Sequence, residues 1–156
     1  MTDSTSTSAS PTLAPVGYRA GAWFRSWENL LFVLMLAIML VPIWAFKHLP
    51  TTDGPAHVAN AAILLDYHKA DATSWREFYT RAKRPDPNLA GHVLMAGLMT
   101  CFPPLTAEKV LLSLYVLALP MAFRYAMWGV RRGVGAMGFL IFPLTYTYVV
   151  WMGFYN

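Results

Sequence analysis

An unbroken apolar segment of 17 residues, Leu30 to Phe46, constrains the fold of this chain more than any other feature of its sequence. As an α-helix the segment is about 25 Å long, and the residues from Trp27 onward can extend it towards the roughly 30 Å of a bilayer's hydrocarbon core. Only 13% of the 156 residues are charged, whereas an ordinary soluble domain has about 25%. We therefore predict an all-α integral membrane protein.

A cleaved signal peptide is the competing interpretation of this first segment. The apolar region of a signal peptide is usually shorter, and Trp44 and Phe46 crowd Ala45, the small residue that a cleavage site would need. The segment is therefore predicted to be an uncleaved anchor with its N-terminal end inside.

Further apolar segments complete a predicted membrane domain over residues 28–156. About four transmembrane helices are expected, at 28–46, 88–102, 110–128 and 137–154. The external loop, 47–87, is predicted to carry two short amphipathic helices, at 55–69 and 74–84. Residues 1–27 are predicted to form a disordered tail and an interfacial segment. The protein is thus expected to be a multi-pass protein of the inner (plasma) membrane.

Whether the second predicted span crosses the membrane is left open. Four spans with the N-terminus inside would place Arg131 and Arg132 outside, against the positive-inside tendency. If residues 89–102 formed a re-entrant element instead, those arginines would lie inside. Four spans are preferred, because Pro103-Pro104 and Glu108-Lys109 suit a compact hairpin.

The stretch Asp53-Gly54-Pro55-Ala56-His57 follows the first span directly. Asp53 and His57 are one helical turn apart, so both can face one ligand. A carboxylate here could act as a general base towards an acceptor hydroxyl or hold a divalent cation. The alternative is structural, with Asp53 capping a helix and His57 lying at the membrane interface.

Asn88 and His92 repeat this four-residue spacing at the start of the next span. His92 lies in an apolar stretch and needs a hydrogen-bonding partner there, so a buried, satisfied histidine is the alternative to a substrate contact. Both pairs are predicted at the same membrane face. They offer too few ligands for a zinc site, and the single cysteine, Cys101, excludes an internal disulfide and a Cys-based zinc site.

Four basic residues are candidate ligands for a lipid-linked phosphate: Arg81, Lys83, Arg84 and Arg124. The three loop residues could instead form a solvated or headgroup-facing surface, and Arg124 could snorkel to the interface. The basic residues are scattered, with no dense patch, so nucleic acid is not an expected partner. Membrane lipid is.

Four stretches carry a family resemblance: Asp53 to His57, Pro87 to His92, Phe102-Pro103-Pro104 with Ala107-Glu108-Lys109, and Gly153 to Asn156. They resemble the N-terminal part of the multispanning glycosyltransferases that use polyprenyl-phosphate-linked sugars, the GT-C superfold. The resemblance covers about Leu30 to Asn156.

The resemblance implies that Asp53, as the acidic residue of the first external loop, is the catalytic base or a metal-associated carboxylate. His57 would assist it, and a polyprenyl-phosphate sugar would be the donor. Members of that superfold are several hundred residues long, so we expect an N-terminal fragment that is inactive alone. The alternative function is a non-enzymatic membrane subunit for interaction or assembly; half of a transporter is a third.

Overall fold

The computed structural model describes residues 27–69, 73–80, 89–130 and 135–153. Within these ranges the chain is mostly helical and has no β-strand, which confirms the predicted all-α class. The elements in order are α1 (Trp27–Ala45), α2 (Gly54–Asp66), α3 (Thr73–Phe78), α4 (Leu89–Met99), α5 (Pro104–Val130), a 3₁₀ helix (Gly135–Ile141), α6 (Phe142–Thr145) and α7 (Tyr148–Met152).

Two helices of the described chain, α1 and α5, are long and apolar enough to cross a membrane. Their lengths are about 28 Å and about 40 Å at the α-helical rise per residue. Only 22% of the most apolar 18-residue window of each helix is buried. Both helices therefore keep wide apolar faces on the outside of the fold.

Helices α1 and α5 run antiparallel. Lys109, near the start of α5, donates a hydrogen bond to the carbonyl of Phe46, just beyond the end of α1. One turn further along α5, Ser113 accepts a 3.1 Å hydrogen bond from the indole of Trp44. The start of α5 therefore lies beside the end of α1, and Val130 lies at the Trp27 end.

This arrangement differs from the predicted order of four spans. If residues 89–102 crossed the bundle, Lys109 would lie at the Trp27 end, but it contacts Phe46 instead. Helix α4 has 11 residues, so it is about 16 Å long and too short to cross. The structure agrees with the alternative in which this segment stays at one end of the bundle.

The last described segment returns along the bundle in short pieces. Phe142 packs against Phe32 in the first half of α1, and Val150 packs near Ile43 in the second half. A continuous helix was predicted over 137–154, but the chain breaks after α6, where Tyr146 has φ −100° and ψ 72°. Pro143 suits the first turn of α6 but cannot donate a hydrogen bond to a helix continuing from Gly135.

Helices α2 and α4 pack side by side at the end of the bundle where α5 begins. Ala61 of α2 is buried with Met95 and Ala96 of α4, and Leu111 of α5 covers this cluster. The small side chains allow the two helix backbones to approach closely. The helices predicted at 55–69 and 74–84 correspond to α2 and α3, which end earlier, at Asp66 and Phe78. Residues 81–84 lie outside the described residues.

Candidate functional site

The two histidines singled out by their spacing meet in the structure. Nδ1 of His57 lies 2.9 Å from Nε2 of His92, and the ring centroids are 4.9 Å apart with an interplanar angle of 35°. A hydrogen bond between two imidazoles needs one N–H donor and one lone pair, so the pair cannot hold a proton on both facing nitrogens. His92 therefore has the partner that its apolar position requires.

Local helix geometry brings each histidine to this contact. Pro55 stands in the first turn of α2, where its missing N–H costs nothing. The amide of His57 closes that turn on the carbonyl of Asp53 at 3.1 Å. His92 stands in the first turn of α4, next to the buried Gly91. Because α2 and α4 run parallel, their first turns lie opposite each other.

Asp53 occupies the N-cap position of α2 without acting as a side-chain cap. Its backbone has φ −99° and ψ −5°, and its carboxylate makes no capping hydrogen bond. The side chain of Asp53 therefore does not cap the helix, which was the structural alternative for this residue. Its negative charge acts on the ring of His57 instead, where it favours the protonated form.

The backbone around Asp53 is held by the far end of the chain. The amide of Asp53 donates to the carbonyl of Met152 at 3.0 Å, and the amide of Thr52 donates to Trp151 at 3.4 Å. Gly153 follows with φ +81°, and a Cβ there would lie 2.7 Å from the amide nitrogen of Gly54. We call this contact, formed by Thr52–Gly54 and Trp151–Gly153, the loop clamp.

The pKa of His57 is lowered from its ordinary value. Burial of the ring is the largest cause, because it disfavours the charged imidazolium, and the neighbouring His92 adds to the effect. Asp53 and a hydrogen bond with the backbone of Gly153 act in the opposite direction. His57 is therefore biased towards the neutral form that can accept a proton.

A divalent cation at Asp53 stays a prediction. Among the described residues, no three histidine, cysteine or carboxylate side chains converge on one point. His57 and His92 already bond to each other, and Asp86 and Asn88, which precede α4, lie outside the described residues.

Arg124 lies at the opposite end of the bundle from Asp53. It follows Lys109 by 15 residues on α5, which is about 22 Å along the helix. Arg124 is only 3% exposed, so it does not snorkel. Its Nη2 donates to Oδ1 of Asn29 and lies 3.4 Å from a carboxylate oxygen of Glu28. Arg124 and Asp53 therefore cannot contact the same phosphate group.

The guanidinium of Arg124 is only partly satisfied. Nε and Nη1 are buried and have no hydrogen-bond partner among the described residues. The group stacks over the ring of Phe32 at 4.3 Å from its centroid, and its stem packs against Gly138, where a Cβ would lie 2.9 Å away. The other predicted phosphate ligands, Arg81, Lys83, Arg84 and Asn88, lie outside the described residues.

A partly open apolar groove with a volume of about 40 Å³ lies beside the loop clamp. The end of α1, residues 49–51 and the middle of α5 form its walls, and Tyr146, Val150 and Trp151 close it. Trp151 belongs both to this groove and to the loop clamp. Sequence patterning did not indicate the groove or the clamp, because both depend on contacts about 100 residues apart.

No protein-family model matches this chain, and neither the curated proteins nor the solved structures contain a match. The resemblance to lipid-linked-sugar glycosyltransferases therefore rests on the short sequence motifs alone.

Proposed function

We propose that this chain is an integral membrane protein in which α1 and α5 cross the bilayer. The apolar residues Leu34, Ile38 and Val41 of α1 are about half exposed or more, which would be unfavourable in water and suits lipid. Trp27 and Val130 then lie on the inner side. Val130 directly precedes Arg131 and Arg132 in the sequence, so this orientation agrees with the positive-inside tendency.

The outer end of this membrane protein carries an acid–base site made of Asp53, His57 and His92. The observation that carries this proposal is the 2.9 Å contact between the two rings. It brings together groups from two separate helices and sets them beside an acidic residue that does not cap its helix. Together the carboxylate and the two imidazoles supply side chains of the kind that serve as general bases and acids.

The reaction proposed for this site is sugar transfer from a polyprenyl-phosphate-linked donor to an acceptor hydroxyl. Asp53 takes the proton of that hydroxyl, and the hydroxyl oxygen forms a bond to the anomeric carbon of the sugar. The bond from the anomeric carbon to the phosphate oxygen breaks, and polyprenyl phosphate leaves with its electron pair. His57 and His92 assist by taking up a proton next to the carboxylate.

The apolar groove supports a lipid-linked substrate. It opens at the same end of the bundle as Asp53 and is walled almost entirely by apolar side chains, including Pro42 and Phe46. An isoprenoid segment has the chemistry to lie along it, and the attached phosphate would then lie at the membrane surface, at the same height as the loop clamp.

Binding of the donor lipid tests this proposal. The chain, purified in lipid nanodiscs, is titrated with a polyprenyl phosphate and, separately, with the uncharged polyprenol of equal length. Saturable binding of the phosphate, weakened by Val150→Trp in the groove, is expected. Equal partitioning of the two lipids would contradict the proposal. If no lipid binds and another membrane protein co-purifies with the chain by contacting residues 47–69, the alternative function, a non-enzymatic interaction subunit, would be favoured.

A further inference from the structure

Gly153 contacts the candidate site through its backbone. It is buried, and its φ of +81° lies in the left-handed region that glycine favours. A Cβ at this position would lie 2.7 Å from the nitrogen of Gly54 and 3.1 Å from that of Asp53. No other residue therefore fits here without moving the loop that carries Asp53 and the start of α2.

The carbonyl is the group of Gly153 that faces His57. The backbone of Gly153 raises the pKa of His57 through hydrogen bonding to its ring, which is the effect of an acceptor, and the amide of Gly153 already donates to Val150 at 3.0 Å. The backbone partner of His57 is then the carbonyl oxygen, which can only accept. A ring N–H of His57 must donate to it. Because Nδ1 of His57 faces His92, the donating nitrogen is Nε2.

We infer that the backbone of Gly153 sets the tautomers of the two histidines and leaves Nδ1 of His92 as the proton-accepting atom of the pair. His57 carries its proton on Nε2, so its Nδ1 accepts a hydrogen bond. His92 must then donate from Nε2 across the 2.9 Å contact, and its own Nδ1 keeps a lone pair. Gly153 is thus a positioning residue for the pair.

A proton taken up at Nδ1 of His92 has a defined path. Nε2 of His92 can pass its proton to Nδ1 of His57, which makes His57 the imidazolium and returns His92 to neutrality. The negative charge of Asp53 and the Gly153 carbonyl favour that imidazolium, whereas burial of the ring and the neighbouring His92 lower the pKa of His57 overall. A second proton would place two cations in contact, so the pair stores one proton at a time.

The role of this relay in sugar transfer rests on the proposed function, whereas the tautomers themselves do not. Nitrogen-15 spectra of histidine-labelled protein in nanodiscs, without donor, measure them at about pH 8, above the ordinary histidine pKa of about 6.5. The four histidines are assigned with single His→Gln variants. We expect Nε2–H tautomers for His57 and His92, and a scalar coupling between Nε2 of His92 and Nδ1 of His57.

A proton on Nδ1 of His57, or absence of the coupling, would overturn the inference. Gly153→Ala should abolish the coupling and mix the tautomers of His57. Gly97→Ala is the matched control, since it lies on α4 with no atom within 4 Å of the new Cβ, and it should leave the spectrum unchanged. If Gly153→Ala does not fold, the wild-type spectrum alone still decides. A failure of donor binding would overturn the proposed function and leave the tautomers standing.

Discussion

Nδ1 of His57 lies 2.9 Å from Nε2 of His92, and this hydrogen bond joins the first turns of two helices that are 35 residues apart in sequence. It sets the register of α2 on α4, because Ala61 and Met95 meet one turn further along both helices. The contact therefore couples the protonation of the pair to the packing of the helices.

Acid should weaken the packing of α2 on α4. The pKa of His57 is lowered in the folded protein, so below about pH 6.5 the unfolded state binds more protons than the folded state. The stabilising effect of neutral His57 is complete above that pH and is lost as the pH falls through the lowered pKa. Thermal unfolding in nanodiscs, followed from pH 8 to pH 5, measures this loss.

His57→Gln should reduce the loss of thermal stability between about pH 6.5 and pH 5, the acid limb of that profile. The variant has no imidazole to take up a proton at this position. His68→Gln is the control, because His68 is exposed beyond the end of α2 and should leave the limb unchanged. An acid limb that is equally steep in wild type and His57→Gln would show that other groups cause it.

Asn29 should matter more to stability than the arginine it contacts. In Asn29→Leu, Nη2 of Arg124 loses its closest partner while the other two guanidinium nitrogens already have none among the described residues. Leaving such a group buried costs about 1–3 kcal/mol. Arg124→Met removes the buried charge altogether and should cost less.

The double variant, Asn29→Leu with Arg124→Met, should be more stable than Asn29→Leu alone. Thermal midpoints of the three variants in the same nanodiscs compare them directly. If the double variant is the least stable of the three, the orphaned guanidinium is not the source of the cost.

The hydroxyl of Tyr146 should stabilise the broken return segment. It donates to the carbonyl of Met39 in α1. The neighbouring carbonyl, that of Ile38, has no helical donor because Pro42 has no N–H. Tyr146→Phe should cost about 0.5–1.5 kcal/mol. Tyr148→Phe is the control, since that side chain is 74% exposed. Equal thermal midpoints for the two variants would contradict the assigned bond.

The two ends of α5 should react from opposite sides of the membrane. Cys101, exposed just before α5, should be labelled from outside by an impermeant thiol reagent. In a Cys101→Ser background, Val130→Cys should be labelled only from inside, because Val130 lies at the Trp27 end and is 81% exposed. Labelling of both positions from the same side would rule out a crossing α5.

Local patterns in the sequence predicted local structure well. The span predicted at 28–46 is α1, since a continuous apolar run with flanking polar residues sets its own limits, and the helix predicted from Pro55 begins at Gly54. The direction of α5 could not be obtained this way. It depends on whether the segment before it crosses the bundle, and hydropathy does not distinguish a short packed helix from a short span.

The site was predictable only in part for the same reason. Two four-residue pairs at one predicted face pointed to His57 and His92, but their contact depends on the parallel packing of α2 and α4. The loop clamp joins Asp53 to Met152 through backbone atoms, which leave no side-chain pattern. Arg124 looked like a phosphate ligand because its partner, Asn29, lies 95 residues away.

Loss of sugar transfer in Asp53→Asn tests the central claim most directly. Because this chain is expected to be inactive alone, the test uses membranes that contain the longer enzyme of which the proposal makes it the N-terminal part, incubated with a labelled polyprenyl-phosphate sugar and an acceptor. Asp66→Asn serves as the matched control, because Asp66 lies at the other end of α2 and pairs with the exposed Lys69 at 2.6 Å. We expect Asp53→Asn to lower transfer by about 100-fold or more and Asp66→Asn to leave it unchanged. Transfer by Asp53→Asn at the rate of Asp66→Asn would contradict the account.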